Sequence, residues 1–207
     1  PFINNTISSD AIHIQVAYDL ANSSTSELSH IFQHDNKYRE DPHLWQNPLY
    51  AMEYARKIRD VIIEIDQSNK SVYERNTEAY INELRELDRK IERTLATVPP
   101  QKRYLVSLHN SFGHFGKRYG WSVSSFTNHN GHDLSPGSIL DILDEISNRS
   151  IDTVFLSPHS PVDSIQHIVK DLNVHVGILY SDTFPATAPT YTGMLLRNAK
   201  TLAKHLK

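Results

Sequence analysis

The change of period at Pro99-Pro100 constrains this chain most. Beyond it, short apolar runs alternate with segments of helical spacing, and each run stops at a polar group. Arg103 to Leu108 has the β-branched and aromatic content of a buried strand. A helix with Phe112, Phe115 and Tyr119 on one face follows at once, and Asn110 or Ser111 is placed to cap it. Next come a strand around Ser122 to Thr127 and, behind Ser135-Pro136, a helix carrying Ile139, Ile142, Leu143 and Ile146. A strand at Thr153 to Leu156 precedes a helix carrying Val162, Ile165, Ile168 and Leu172. A fourth strand, Val174 to Tyr180, leads through a Pro/Thr-rich loop to a last helix from about Tyr191 to Leu206. Four strands that each return through a helix predict an α/β lobe, a four-stranded parallel sheet with right-handed crossovers and helices on both faces.

In an open parallel sheet, ligands bind beyond the carboxyl ends of the strands. The four predicted strands end near His109, near His129 and His132, at His159, and at Asp182. A histidine in the place of His109 can ligate a metal, move a proton, or only begin a helix. Composition narrows the chemistry. With no cysteine in 207 residues, disulfides and thiolate metal sites are excluded, while 12 histidines are available. Any transition-metal site must then be built from imidazole and carboxylate, a donor set that matches zinc or, less well, manganese. The zinc-hydrolase motif H-E-x-x-H is missing, as are a G-x-S-x-G elbow and a glycine-rich phosphate loop. A net charge of −3 argues against a nucleic-acid partner. No apolar run is long enough to cross a bilayer.

Before Pro99 the pattern is helical. Apolar positions from Leu49 through Met52, Ala55, Ile58, Ile62 and Ile65 predict a helix to about Asp66. After a break at Gln67 to Lys70, a second runs from Val72 to about Thr97, with Tyr73, Tyr80, Leu84, Leu87, Ile91 and Leu95 on one face. Ahead of both stands Asp41-Pro42-His43-Leu44-Trp45-Gln46-Asn47-Pro48. Pro42 fixes its own φ and restricts Asp41, which holds His43 on a stiff backbone suited to a ligand. The same stretch reads as a helix lead-in, with Asn47 at the N-cap and Pro48 at N1. Both readings are compatible. Among the first forty residues, Ala11 to Tyr18 alternates as one strand does, while His30, His34 and Asp35 sit in a charged run of turn composition.

Asp41-Pro42-His43-Leu44-Trp45 with Pro48 resembles the D-P-H-x-W-x-x-P signature of the zinc- and manganese-binding solute-binding proteins of ABC transporters. The likeness continues through Tyr73-Glu74-Arg75-Asn76, Leu84-Arg85-Glu86-Leu87-Asp88 and Ser107-Leu108-His109-Asn110-Ser111-Phe112-Gly113. It ends with Tyr180-Ser181-Asp182, Thr190-Tyr191-Thr192-Gly193-Met194 and Asn198. The resemblance implies two α/β lobes joined by a long rigid helix, with a metal ion in the cleft between them. On that scheme residues 1–47 are a remnant of the N-terminal lobe with a ligand loop, 48–66 the linking helix, and 67–207 the C-terminal lobe. It also implies that His43, His109 and Asp182 hold the metal at the second, third and fourth family positions. Histidine at the third position, as in the zinc-like members, favours Zn²⁺ over Mn²⁺.

This sequence departs from the family pattern in places. Nothing matches the first family ligand, a histidine of the N-terminal lobe, so three protein donors and a water are expected. Asn110 stands where an aspartate is usual, and Ser157-Pro158-His159 replaces a stretch that often holds glutamate. His159 is then a lining residue or a substitute ligand. His30 and His34 lie where relatives carry a His-rich loop. The resemblance implies a monomeric, non-catalytic, periplasmic or membrane-anchored component that captures zinc and delivers it to a membrane permease. The chain opens at Pro1 rather than Met, as expected of a processed or cut form.

Overall fold

The computed structural model describes residues 41–127, 136–158, 170 and 173–207. The expectations for the strand at Ala11 to Tyr18, for His30, His34, His129, His132 and His159, and for the Val162 to Leu172 helix fall outside these residues.

A short 3₁₀ turn, Leu44–Gln46, leads into α1 (Pro48–Ile65). The Asn47 side chain accepts a hydrogen bond from the Leu49 backbone N–H at 3.0 Å, with Pro48 in the first turn, where its missing N–H costs nothing. A second 3₁₀ turn then opens α2 (Lys70–Leu95). Its buried stripe begins at Ile81 and continues through Leu84, Leu87, Ile91 and Leu95. Tyr80, expected on that stripe, is instead exposed. Upstream of Ile81 no residue of the helix is fully buried, and the Tyr73 hydroxyl is engaged by Asp66.

After Pro99 the chain forms β1 (Tyr104–Ser107), α3 (Gly113–Tyr119), β2 (Ser122–Ser125), α4 (Pro136–Arg149), β3 (Thr153–Leu156), β4 (His175–Ile178) and α5 (Tyr191–His205). The four strands pair in parallel in the order β2-β1-β3-β4. Side-chain alternation divides the apolar residues between two cores. Leu105 and Phe155 face α1, α2, α3 and α5, meeting Met52, Ile81, Leu84, Ile91, Phe115, Leu195 and Leu202. Val106, Val154 and Leu156 face the other way, onto Phe126 and the α4 residues Ile142 and Ile146. The sheet is thus covered on both faces, as parallel sheets require.

The helix after His109 starts later than the sequence suggested. The Ser111 backbone N–H donates to the His109 carbonyl at 3.0 Å, so the chain turns tightly first. The N-cap is Phe112, with no side-chain cap, rather than Asn110 or Ser111. α3 is then locked in place from two sides. A Cβ on Gly116 would stand 2.5 Å from Val123 Cγ2 and 2.9 Å from the Trp121 carbonyl oxygen, so only glycine lets the helix lie this close to β2. On the other side, buried Asp88 of α2 accepts from Arg118 Nε at 3.0 Å and from the Tyr119 hydroxyl at 2.9 Å, and pairs with a second guanidinium nitrogen. Burial, with the Asp88 carboxylate beside it, raises the Tyr119 hydroxyl far above its ordinary pKa and keeps it protonated.

Gly177 in edge strand β4 lies under the Phe155 ring, and a Cβ there would stand 2.5 Å from two ring carbons. Gly177→Ala should therefore destabilise the chain by about 1–3 kcal/mol through overpacking. Leu140→Ala, at a side chain 62% exposed, should change stability by less than about 0.5 kcal/mol. Equilibrium urea unfolding of the two variants checks both values.

Candidate metal centre

The carboxyl end of β1 delivers His109, and the Asp41-Pro42-His43 loop lies against it. His43 Nε2 and His109 Nε2 are 3.2 Å apart, with the two rings nearly perpendicular at 83°. Behind His43 stands Asp41, whose Oδ1 lies 2.7 Å from His43 Nδ1 and accepts from the His43 backbone N–H at 3.0 Å. The backbone contact is an Asx turn, the local bond an aspartate makes two residues ahead. Both side chains are almost fully buried.

This arrangement fixes the tautomer. An ionised carboxylate only accepts hydrogen bonds, so in the neutral ring Nδ1 carries the proton and Nε2 presents its lone pair toward His109. Burial by itself would raise the Asp41 carboxyl. The hydrogen bonds from the His43 ring and backbone, reinforced by electrostatic interaction with the neighbouring His114 and His43 imidazoles, outweigh it and hold the group below its ordinary value. Asp41 is thus anionic at neutral pH and fixes the orientation of the His43 ring. Two imidazole nitrogens bound at about 2.0–2.1 Å to one tetrahedral ion lie about 3.3 Å apart. The observed 3.2 Å matches that spacing.

His114, in the first turns of α3, completes the support. It is buried, and its Nε2–H donates to the Asp41 carbonyl at 3.0 Å. Burial is the main reason its pKa falls below the ordinary 6.5, and the Asp41 contacts offset this only in part. Neutral His114 therefore braces the loop from beneath. Sequence reasoning passed over Asp41 as a partner and His114 altogether. The Asp-Pro-His spacing carried the first signal, because an aspartate two residues before a fixed histidine can bond back to it. His114 has no comparable signal, since its partner lies 73 positions away.

Asp182 follows the end of β4 on the same rim. It is exposed, and its Oδ2 accepts from the Ser181 hydroxyl at 2.5 Å. Among the described residues, no three His, Asp or Glu side chains are close enough together to hold a metal ion. His43 and His109 are brought together, and Asp182 is not gathered with them. Its loop is nonetheless tied to theirs. Trp45 Nε1 and Gln46 Nε2 both donate to the Ser181 carbonyl, at 2.8 and 3.0 Å. Tyr191 donates its hydroxyl to the Trp45 carbonyl at 2.7 Å, and the Asn198 amide pairs with both backbone groups of Tyr180 at 2.9 and 2.7 Å. These bonds hold the residue before Asp182 on the turn that follows His43.

The chain is a parallel α/β lobe with two imidazoles paired at its carboxyl rim. The chain matches the zinc-binding protein TroA of Treponema pallidum with a TM-score of 0.83 at 20% identity, over 99% of this chain and 74% of that one. Residues 2–205 match the ZnuA family, described as zinc-uptake complex component A, periplasmic, and the chain belongs to that family. It is 29% identical over 171 residues to the manganese-binding lipoprotein MntA of Halalkalibacterium halodurans, and 26% identical over 169 residues to the iron-binding protein YfeA of Yersinia pestis. These alignments take in 80% and 79% of this chain but 57% and 54% of those proteins, so the chain spans about half the length of the curated relatives it matches.

Asp41→Asn keeps an oxygen acceptor for the turn and removes the charge behind His43. It should weaken metal binding by about 10–100-fold, the usual cost of losing such a partner, with little loss of fold. Titration of the metal-free variant with Zn²⁺, alongside its melting curve, checks this.

Proposed function

We propose that this chain is the metal-capturing component of an ABC importer, that its cargo is Zn²⁺, and that His43, His109 and Asp182 supply the protein donors. The Nε2 to Nε2 spacing of 3.2 Å, with Asp41 fixed behind His43, carries this reading. Membership of a zinc-uptake family supports the transport role. On this reading the two imidazole lone pairs converge on the ion, and the Asp182 carboxylate adds charge as its exposed side chain swings toward them. Zinc accepts four ligands, and water fills the remaining place. The bound ion is cargo, so the site has no need of a base, a nucleophile or a product-release path.

Capture and release both follow from this chemistry. Each imidazole must be unprotonated to bind, so affinity falls in acid. The preset pair, braced by His114 and by the Ser181 clamp, lowers the ordering cost of capture. Delivery goes to a membrane permease, with this chain held outside the membrane, periplasmic or lipid-anchored as the names of its relatives suggest.

A second reading takes Mn²⁺ as cargo, supported by the manganese-binding name of the MntA relative. Donor chemistry favours zinc. Two imidazoles suit it better than manganese, and zinc stands above manganese in the general affinity order. Competition between the two ions for the metal-stripped chain should therefore leave Zn²⁺ bound, and His109→Ala should abolish most of its retention. Equal or stronger retention of Mn²⁺ would overturn zinc as cargo. Retention of neither ion, or full retention by His109→Ala, would overturn the site itself.

A further inference from the structure

The opposite rim of the sheet carries a second concave site. The starts of β1 and β2 and the turn before β3 enclose a cleft of about 360 Å³, within the size range of small-molecule sites. Lys102, Arg103 and Arg149 line it against a single carboxylate, Asp152, with Ile151 and Leu206 as its apolar surface. Asp152 already accepts from the Thr153 hydroxyl at 3.0 Å.

Among the described residues, five arginines, Arg56, Arg59, Arg85, Arg89 and Arg118, are already committed to carboxylates. Among the described residues, no ion pair includes Lys102, Arg103 or Arg149. Each is nonetheless held in place by another contact. The Arg149 guanidinium lies 4.5 Å from the centre of the Tyr104 ring, a cation–π stack that leaves the planar fork of N–H groups available at its edge. The Tyr104 ring is itself fixed through its hydroxyl, which lies 2.7 Å from Ser124 Oγ and is also engaged by the Glu145 carboxylate outside the cleft lining. Arg103 donates through Nε to the Val98 carbonyl at 3.1 Å, and Lys102 through Nζ to the Lys207 carbonyl at 2.8 Å. Like charges converging on one cleft repel each other, and a bound anion would relieve that repulsion. Side chains already held lose less conformational freedom on binding.

We propose that this cleft binds a small dianion, with a phosphate group as its simplest form, held by the Arg149 fork together with Arg103 and Lys102. Phosphate and dicarboxylate groups share the geometry that an arginine fork recognises with two parallel hydrogen bonds. The cleft lies at the amino-terminal ends of the strands, whereas His43 and His109 lie at the carboxyl ends. Metal and anion therefore occupy separate sites and do not compete.

The test is titration of the full, metal-free chain with inorganic phosphate at constant ionic strength, followed by amide NMR shifts and by calorimetry. The expected result is saturable one-site binding, with the largest shifts at Ser122 and Ile151. Arg149→Gln and Arg103→Gln should each weaken it by about tenfold or more, as loss of a charge-assisted hydrogen bond does. Arg149→Lys, which keeps charge and helix but loses the fork, should fall between the wild type and Arg149→Gln. Lys200→Gln, on the outer face of α5, should change nothing. Shifts that spread over the surface without saturating would overturn the proposal, as would unchanged binding in both glutamine variants. So would capture by phosphatidylglycerol vesicles with no response to free phosphate, because that would assign the basic surface to a membrane.

Discussion

The buried bond between Asp41 and His43 is the interaction on which the site depends. An ionised carboxylate out of water is costly unless it is fully engaged. Here the ring and the backbone N–H of His43 both engage its Oδ1, and the His114 ring stands 3.9 Å from Oδ2. In return the His43 imidazole loses its choice of tautomer and its freedom to rotate. What remains for chemistry is one nitrogen lone pair, aimed at the matching nitrogen of His109. Pro42 makes this possible by holding the two residues at a spacing from which the side chain can bond back.

The rest of the fold keeps the two imidazoles in register. β1 sets the height of His109 through its parallel pairing with β2 and β3. The α3 helix carries His114 under the Asp41 carbonyl, and α3 is pinned by the Asp88 pair on one side and by the close approach at Gly116 on the other. The 3₁₀ turn after His43 is fastened to the Ser181 carbonyl by two side chains, and to α5 through Tyr191. Four segments distant in sequence thus meet at one rim, and no one of them could set the nitrogen spacing alone. Asp182 stands at the edge of this arrangement, exposed and accepting from the hydroxyl of a well-tied Ser181.

Much of this was legible in the sequence because the signals were local. The β3 strand was read with its observed ends, since four consecutive buried positions leave little ambiguity. Asn47 and Pro48 announced the start of α1. The strand ends at His109 and Asp182 followed from where the apolar runs stop. The late start of α3 was not readable, because Ser111 spends its backbone N–H on a turn with His109. Nor was the exchange of Tyr80 for Ile81 on the buried face of α2. Both satisfy helical spacing, and only the position at which neighbouring elements begin to cover the helix decides between them. The Asp41 to His43 bond was implicit in the motif, while His114 and the Ser181 clamp are tertiary contacts with no periodic trace.

The most direct test of the central claim is X-ray absorption spectroscopy on the chain loaded with one equivalent of Zn²⁺. The account predicts a first shell of nitrogen and oxygen with two imidazoles at about 2.0–2.1 Å, one of which is lost in His43→Ala. A first shell of oxygen alone, or one unchanged by His43→Ala, would contradict it.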